Sequence, residues 1–318
     1  MSEIKITVLM PAYNAAKYIG DAIRSVLQQS FTEFELLIVN DGSADNTTEV
    51  VRSFTDERII LLEQEHGGVS KALNTGLAAA KGRYIARFDA DDICFHDRLQ
   101  KQFQFLEMNP AYVIVGSDAE YMLENGEFLF RFACIGHEHE ELLHKLYFYC
   151  PFIHSSVMYR KDKVLTAGGY SPWAHNFEDY LLWTQLAKGG KLYNLPETLI
   201  RIRFNPASVT IDEKWRGRRF RELKRNAIKR GSITEKEGAE ILSIIQHQNT
   251  KRIKEGAYYA LCTKKLLTDN YQPVKAREYA VKAIQVNPVR PDSYALWVVS
   301  FFPRSFIQWL HKQSPNKL

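Results

Sequence analysis

Residues 81–92, KGRYIARFDADD, decide the fold. The segment YIARF predicts a buried strand, whereas Asp89, Asp91 and Asp92 are poor strand formers that follow it. Carboxylates this close raise one another's pKa, so the cluster requires a cation, basic side chains or solvent. A divalent metal shared with phosphate oxygens is one interpretation. The other is a solvated turn in which Asp91 or Asp92 caps the next helix.

Strand and helix patterns alternate up to this stretch. Pro11 ends the first predicted strand, and Gly67-Gly68 opens the third predicted helix. The strands are predicted at residues 4–10, 34–39, 58–62 and 84–88, with helices at 19–27, 47–54 and 69–77. Fourfold alternation predicts βαβ units with a parallel sheet. Ligands of such sheets gather at the carboxyl ends of the strands, where Tyr13, Asp41 and Asp89 lie.

The pattern becomes less regular after residue 97. Asn125-Gly126 predicts a hairpin turn. Helices are predicted at residues 98–108, 138–149 and 178–188, and strands at 112–115, 119–123, 127–132, 155–159, 191–195 and 199–203. Beyond about residue 214 only helical patterns remain. We therefore predict an α/β domain over residues 1–210 and a helical C-terminal extension over residues 211–318.

The composition is that of a globular protein, with 318 residues of which 45% are apolar and 25% charged. A net charge of +5 does not indicate a nucleic-acid partner. The four cysteines show no CxxC pairing, which predicts free thiols in a reducing compartment. The N-terminus does not resemble a signal peptide, and no apolar run approaches the ~20 residues of a membrane span. We expect a cytoplasmic protein.

The C-terminal part carries a basic and an aromatic segment. Residues 214–230 contain nine Lys or Arg against one acid, and residues 297–310 are rich in Trp and Phe. Peripheral contact with an anionic membrane at its inner face is one interpretation. The other is that the tail helices dock on the chain's own domain. Residues 260–288 resemble either one tetratricopeptide-like unit or an ordinary helical hairpin.

Five motifs occur in a specific order. They are VLMPAYN at residues 8–14, VNDGSADNT at 39–47, the glycine-flanked segment 67–76, FDADD at 88–92 and FEDYLLW at 177–183. In order and spacing they resemble the inverting family 2 glycosyltransferases over residues 4–210. The resemblance implies a GT-A fold, a Rossmann-like α/β domain that binds nucleotide-diphospho sugars.

The resemblance also implies a role for each motif. Asp179 is the predicted catalytic base with Glu178 in support, since inverting transfer needs a carboxylate to take the proton of the acceptor hydroxyl. Both acids lie in a first helical turn, which favours their ionised forms. A divalent ion, Mn²⁺ or Mg²⁺, is predicted to offset charge on the leaving diphosphate. The predicted metal ligands are Asp91 and Asp89, and the predicted nucleotide-binding residues are Pro11, Tyr13, Asp41 and Asp89; Lys71 and Arg83 are further candidate phosphate contacts.

Two departures from the family pattern matter. Asn40 stands where many relatives carry Asp. Arg203 stands where the family usually has His, in a stretch that continues to Ser208-Val209-Thr210. Arg cannot ligate a metal but can clamp phosphate oxygens, so Arg203 is predicted to support the leaving diphosphate.

Two residues are predicted on the acceptor side. His154 precedes a strand and either lies near the acceptor or is a structural histidine. Trp173, in the loop before the predicted base, either stacks on a sugar face or packs against the protein.

Three function classes remain open. The first is a metal-dependent transferase that uses a nucleotide-sugar donor, a UDP-sugar by preference, and a saccharide or lipid-linked acceptor in surface polysaccharide or glycolipid biosynthesis. The second is a phosphohydrolase with Asp89 as nucleophile, which would require Thr or Ser and Gly where Asp92-Ile93 stands. The third is a non-catalytic sugar-nucleotide-binding module, against which the presence of both Asp91 and Asp179 argues.

Overall fold

The computed structural model describes residues 3–206, 216–248 and 251–313. Among these residues, nine strands form one mixed sheet of order β3-β2-β1-β4-β8-β6-β9-β5, with β7 paired to β6. The strands are β1 Ile6–Ala12, β2 Phe34–Asn40, β3 Ile59–Glu63, β4 Tyr84–Arg87, β5 Ile93–Cys94, β6 Tyr112–Met122, β7 Phe128–Phe132, β8 Met158–Arg160 and β9 Lys191–Arg203. The α/β fold class predicted from the sequence is confirmed.

The first four strands form the predicted parallel sheet. β1 lies between β2 and β4, and β3 pairs with β2, all in parallel register. Every residue of β2 and of β4 is buried, as expected for strands covered on both faces. The connecting helices are α1 Ile19–Leu27, α2 Thr47–Arg52 and α3 Val69–Ala79. This arrangement brings the residues that follow β1, β2 and β4 to one edge.

Pro11 does not end β1, contrary to the prediction. The strand continues to Ala12, and Pro11 pairs in register with Val39. The Leu9 carbonyl accepts from the Phe88 amide at 3.0 Å, so the backbone polar groups of Leu9 point towards β4. The backbone of Pro11, two residues further on, points to the same side. The β1–β4 register ends at Leu9, and the missing N–H of Pro11 therefore costs no ladder bond.

The second half of the sheet is antiparallel where β8 pairs with β4 and with β6. Residues 191–203 form one strand instead of the two predicted. β5 pairs only with Ile200 and Arg201, so Pro196 lies where β9 has no β5 partner and a proline is tolerated. The predicted Asn125-Gly126 turn is confirmed, with Gly126 at φ +87°.

The helices of this half are α4 Arg98–Met108, α5 His139–Lys145, α6 Lys161–Thr166 and α7 Glu178–Leu186. α5 ends four residues before the predicted end. The Phe148 and Tyr149 amides both donate to the Lys145 carbonyl, at 2.9 and 3.0 Å, which tightens the chain into a turn. Residues 154–156 form a 3₁₀ turn, so the strand predicted at residues 155–159 begins only at Met158, the first residue of β8.

The C-terminal helices are α8 Arg218–Arg230, α9 Glu235–His247, α10 Lys251–Thr268, α11 Pro273–Val286, α12 Pro291–Val299 and α13 Arg304–Gln313. α10 and α11 pack together as a helical hairpin. Within the described ranges, none of the helices has the length and apolar character needed to cross a membrane. Cys94, Cys134, Cys150 and Cys262 are free thiols, as predicted.

The chain divides into two compact units. The first contains Met1–Ala119, Phe132–Ile202 and Glu222–Leu242, and the second contains Glu120–Arg131, Arg203–Arg221 and Ser243–Leu318. The boundary predicted near residue 210 lies outside the described residues. The division into domains 1–210 and 211–318 stays a prediction.

Candidate active site

Asp41, directly after β2, is buried beneath a loop that leads into α3. Its Oδ1 accepts from the Gln64 side chain at 2.6 Å and the Gly67 amide at 2.9 Å. Its Oδ2 accepts from the Gly68 amide at 2.8 Å and lies 3.0 Å from the Nδ1 of His66. Three donors thus occupy the carboxylate, and the same His66 Nδ1 also lies 3.1 Å from the Asp41 carbonyl oxygen. The predicted contact of Asp41 with the nucleotide stays a prediction.

Tyr13 and His66 form a stacked pair at this edge. Their ring centroids lie 4.2 Å apart with an interplanar angle of 27°. Tyr13 is 50% exposed and the His66 side chain 56% exposed. Pro11, also predicted in the nucleotide pocket, is half-buried two residues upstream. An exposed aromatic face suits the stacking of a nucleotide base.

Asp89, after β4, is anchored by a buried arginine. The Nη1 of Arg87 donates to Asp89 Oδ2, and the Asp89 amide donates to Ser155 Oγ at 3.1 Å. Burial alone would lower the pKa of Arg87, but the Asp89 carboxylate outweighs it and raises that pKa. The buried guanidinium thus fixes one oxygen of Asp89, whose side chain remains partly exposed.

A second buried arginine holds the backbone beneath this cluster. Arg98 Nη2 donates to the carbonyls of Arg87 and Val157 at 2.8 and 3.2 Å. Its Nε donates to Gln102, whose amide in turn donates to the Ser156 carbonyl at 2.7 Å. These bonds tie the end of β4 to the 154–156 turn, so the acid cluster rests on a rigid base.

Asp91 is half-buried and Asp92 is 1% exposed. The suggestion that one of them caps the next helix is wrong, because β5 intervenes and α4 has Asp97 at its N-cap position. Across the described ranges, no three His, Cys, Asp or Glu side chains form a metal site. The two predicted ligands, Asp91 and Asp89, supply hard carboxylate oxygens. Such oxygens still fit a divalent cation whose coordination is completed by phosphate oxygens.

Glu178 and Asp179 open α7. The Asp179 Oδ1 accepts from the Tyr180 amide at 2.6 Å, and Cys150 Sγ lies 4.0 Å from Oδ2. Burial and the Asp179 charge raise the pKa of Glu178 to about 8, and the charges of Arg87 and Asp89 also act on it. The helix terminus favours the ionised form of Glu178, whereas burial and the Asp179 charge favour its protonated form, and the raised pKa shows the direction of the sum.

His154 belongs to a buried network. Its Nε2 lies 3.0 Å from the Tyr170 hydroxyl, which lies 3.2 Å from the Tyr159 hydroxyl. Burial and the nearby Arg87 charge lower the pKa of His154 well below its usual value, so the ring is neutral. This geometry has the features of a structural histidine, and a contact with the acceptor stays a prediction.

Trp173 is half-buried, and its backbone packs on α9 at Gly238, where an added Cβ would lie 2.9 Å from the Trp173 carbonyl oxygen. The stacking of Trp173 on a sugar face stays a prediction.

Three further basic residues were predicted to contact phosphate, and they lie in different parts of the structure. Arg83 precedes β4 and lies 3.3 Å from Glu107, at the end of the strand opposite Asp89, so its suggested phosphate contact is wrong. The stem of Lys71 covers Gly67 in the loop around Asp41. Arg203 belongs to the second compact unit, where its Nη1 donates to the Glu124 carbonyl at 2.6 Å. Ser208-Val209-Thr210 lies outside the described residues.

Several site residues were not predicted from the sequence, including Arg87, His66, Cys150 and Ser155. A signal existed for Arg87 alone. Residues i and i+2 of a strand point to the same face, so the RFD pattern could have indicated that Arg87 and Asp89 are neighbours. The other contacts join residues 25 or more positions apart, and no local pattern shows them.

In α/β folds, ligands bind at the carboxyl ends of parallel strands, and Tyr13, Asp41 and Asp89 follow the ends of β1, β2 and β4. The family model "Glycosyl transferase family 2" matches residues 7–164. "Putative glycosyltransferase EpsE" of Bacillus subtilis is 34% identical over 63% of this chain and 73% of its own length. The chain belongs to glycosyl transferase family 2.

Other relatives give the same family. An uncharacterised glycosyltransferase of Haemophilus influenzae is 31% identical over 63% of this chain, which spans only 65% of that relative. The Escherichia coli "UDP-Glc:alpha-D-GlcNAc-diphosphoundecaprenol beta-1,3-glucosyltransferase WfgD" is 29% identical over 78% of this chain and 93% of its own length.

Two solved structures share the fold. Staphylococcus aureus TarS 1–349 in complex with UDP-GlcNAc has a TM-score of 0.57 at 16% identity, over 98% of this chain and 92% of the other. The mannosyltransferase PcManGT of Pyrobaculum calidifontis, in complex with GDP-Man and Mn²⁺, has a TM-score of 0.55 at 16% identity, over 98% and 88%. At this identity the likeness concerns the fold, and it agrees with the predicted GT-A architecture.

Proposed function

We propose that this protein is an inverting glycosyltransferase that moves a sugar from a UDP-sugar to a saccharide or lipid-linked acceptor. Membership of family 2 supports the reaction class. The donor and acceptor rest on relatives, since WfgD is named for UDP-glucose and a diphosphoundecaprenol-linked acceptor. The amylovoran and O-antigen enzymes AmsE and WbnJ support a role in surface polysaccharide or glycolipid biosynthesis.

The carboxylate pair at the start of α7 carries this proposal. The raised pKa of Glu178 favours its protonated form, and we assign the role of catalytic base to its neighbour Asp179. The Asp179 Oδ2 then takes the proton of the acceptor hydroxyl while that oxygen attacks the anomeric carbon. The bond from the anomeric carbon to the diphosphate oxygen breaks on the opposite side, and the configuration inverts.

The donor binds at the edge formed by β1, β2 and β4. Its base stacks on the Tyr13–His66 pair beside Pro11, and Asp41 fixes the loop that carries His66. Asp91 and Asp89 would hold a divalent cation, Mn²⁺ or Mg²⁺, which would offset the charge growing on the leaving diphosphate. Arg87 orients the Asp89 carboxylate for this task. Arg203 is the proposed further partner of the diphosphate, and His154 and Trp173 are proposed on the acceptor side.

Removal of divalent metal tests the reaction. Incubation of the protein with a panel of nucleotide sugars should release UDP slowly by transfer to water, because the donor site activates the anomeric carbon without an acceptor. EDTA should suppress this release at least tenfold, and added Mn²⁺ should restore it. Release of inorganic phosphate in place of UDP would indicate a phosphohydrolase, and donor binding without turnover a binding module.

The cytoplasmic location and the membrane contact of the C-terminal helices remain predictions. Trp297, Phe301, Phe302 and Trp309 are between 38% and 59% exposed, which supports an external partner for this segment. Flotation of the protein with anionic liposomes, with and without these aromatic side chains, is the direct test.

A further inference from the structure

An aromatic tip, Tyr147-Phe148-Tyr149, follows α5 in the first compact unit. These three consecutive side chains are 44%, 74% and 58% exposed. Isolated exposed aromatics are ordinary on protein surfaces, whereas three in succession indicate an apolar partner. Neither the motifs nor the proposed chemistry uses them.

The aromatic tip is anchored to the helix that carries the proposed base. On one side, the Tyr180 hydroxyl donates to the Leu146 carbonyl at 2.6 Å. On the other, Cys150 Sγ lies 3.4 Å from the Phe152 carbonyl oxygen and 4.0 Å from Asp179 Oδ2. The position of Asp179 is thus coupled to whatever the tip touches.

The turn geometry of the aromatic tip indicates what it binds. The two bonds to the Lys145 carbonyl wind the tip into a helical turn, in which successive side chains point about 100° apart. Three rings so splayed cannot form one flat platform for a sugar face. A surrounding apolar medium contacts all of them at once. Phe148 lies between two amphipathic tyrosines, an order suited to a lipid–water interface.

The charge around the aromatic tip agrees with this partner. Residues 142–161 contain no Asp or Glu, and Lys145 and Lys161 are among their cations. The acids of α5 lie in its first turn, at the end away from the tip. Within residues 142–161 no carboxylate opposes contact with an apolar or anionic surface, and the acid that reaches this segment from α7 is Asp179, 4.0 Å from Cys150 Sγ.

We propose that the aromatic tip enters the interfacial layer of a lipid bilayer and thereby holds Asp179 at the head group of a membrane-embedded acceptor. The identity of the acceptor rests on the proposed function, whereas the insertion rests on the tip alone. Because membrane binding and donor turnover are separate measurements, the two proposals can fail separately.

Vesicle co-sedimentation of the full chain tests the insertion, with vesicles of phosphatidylcholine and phosphatidylglycerol. Phe148→Ser should lower the partition coefficient about tenfold, the effect of withdrawing one large apolar side chain from lipid. Met108→Ser is the matched control, because Met108 is 77% exposed at the end of α4 and should leave partition unchanged. Equal binding of Phe148→Ser and wild type, or no binding of wild type, would overturn the proposal.

A second variant covers the case in which Phe148→Ser does not fold. Phe148→Trp retains an aromatic ring, and its added fluorescence should be quenched by brominated lipids in the vesicles. Met108→Trp should show no added quenching, and equal behaviour of the two tryptophans would contradict insertion. If wild type turns over no nucleotide sugar but still binds vesicles through Phe148, the proposed function fails and the insertion stands.

Discussion

At the scale of the residue, the partners of a carboxylate decide its role. Asp41 and Asp89 both follow parallel strands, and the sequence predicted that both face the nucleotide. Asp41 is buried and accepts three hydrogen bonds from Gln64, Gly67 and Gly68, whereas Asp89 has one oxygen fixed by Arg87 and a partly exposed side chain. The motifs showed where these acids lie. The hydrogen-bond donors that surround Asp41 come from another segment of the chain, so the sequence could not predict which carboxylate oxygens are already engaged.

Glu178→Gln should change how stability depends on pH. The raised pKa of Glu178 means that the folded state keeps a proton which the unfolded state loses above pH 4.5. Wild-type stability should therefore fall between pH 5 and pH 8, by about 2–4 kcal/mol. Gln mimics the protonated carboxyl and should flatten this dependence. The measurement is the free energy of unfolding in urea at both pH values.

Glu140→Gln provides the control for that comparison, because it makes the same substitution at a glutamate that is exposed on α5. It should keep the wild-type pH dependence. A Glu178→Gln protein that loses stability between pH 5 and pH 8 as steeply as wild type would show that Glu178 is ionised in the folded state.

At the scale of the element, strands with strong patterns could be predicted and those set by distant pairing could not. The apolar runs of β1 to β4 alternate with amphipathic helix patterns, which gave their positions and their parallel direction. The antiparallel direction of β8 depends on its neighbours β4 and β6. The continuous β9 depends on the short reach of β5, which leaves Pro196 without a partner on that side.

The early end of α5 is the most informative miss. The amphipathic pattern continued to Tyr149, but the aromatic residues after Lys145 are weak helix formers and instead form an exposed turn. Periodicity alone assigned them to a helix, whereas their exposure indicates a binding role. A local departure from a sequence rule thus coincided with a candidate functional surface.

α9 begins with a reciprocal cap that a variant can test. The Thr234 amide donates to Glu237 at 2.9 Å, and the Glu237 amide donates to Thr234 Oγ1 at 3.3 Å. Glu237→Ala should speed hydrogen exchange of the first-turn amides about fivefold, the equivalent of about 1 kcal/mol for a lost cap. Glu235→Ala removes the same charge two residues earlier in the first turn and should change the exchange rates by less than half as much.

The pH dependence of this cap has a definite sign. The Arg230 guanidinium and the Thr234 bonds lower the pKa of Glu237 to about 2. A depressed folded-state pKa means that the stabilisation is present above the unfolded value of 4.5 and is lost as the pH falls towards 2. The exchange difference between wild type and Glu237→Ala should therefore persist at pH 4 and shrink below pH 3.

At the scale of the whole molecule, the fold places the proposed donor-binding residues and the proposed base on separate segments of one compact unit. The edge at Asp41 and Asp89 was predicted from the order of the motifs, because parallel strands necessarily end together. The link from Asp89 through Arg87 to Glu178 was not predicted, because it depends on burial and on charges from separate segments of the chain. Family membership fixes the architecture, and this electrostatic link supports the proposed chemistry.

The most direct test of that chemistry is a paired measurement on Asp179→Asn. Asn keeps the shape of the side chain but cannot accept the acceptor's proton, so transfer to acceptor should fall by about 10²–10⁴-fold. The dissociation constant for the UDP-sugar, measured by calorimetry with Mn²⁺, should stay within about twofold of wild type, since Asp179 does not hold the donor in this mechanism. Transfer that survives the substitution at more than about a tenth of the wild-type rate would contradict the role of Asp179 as the base.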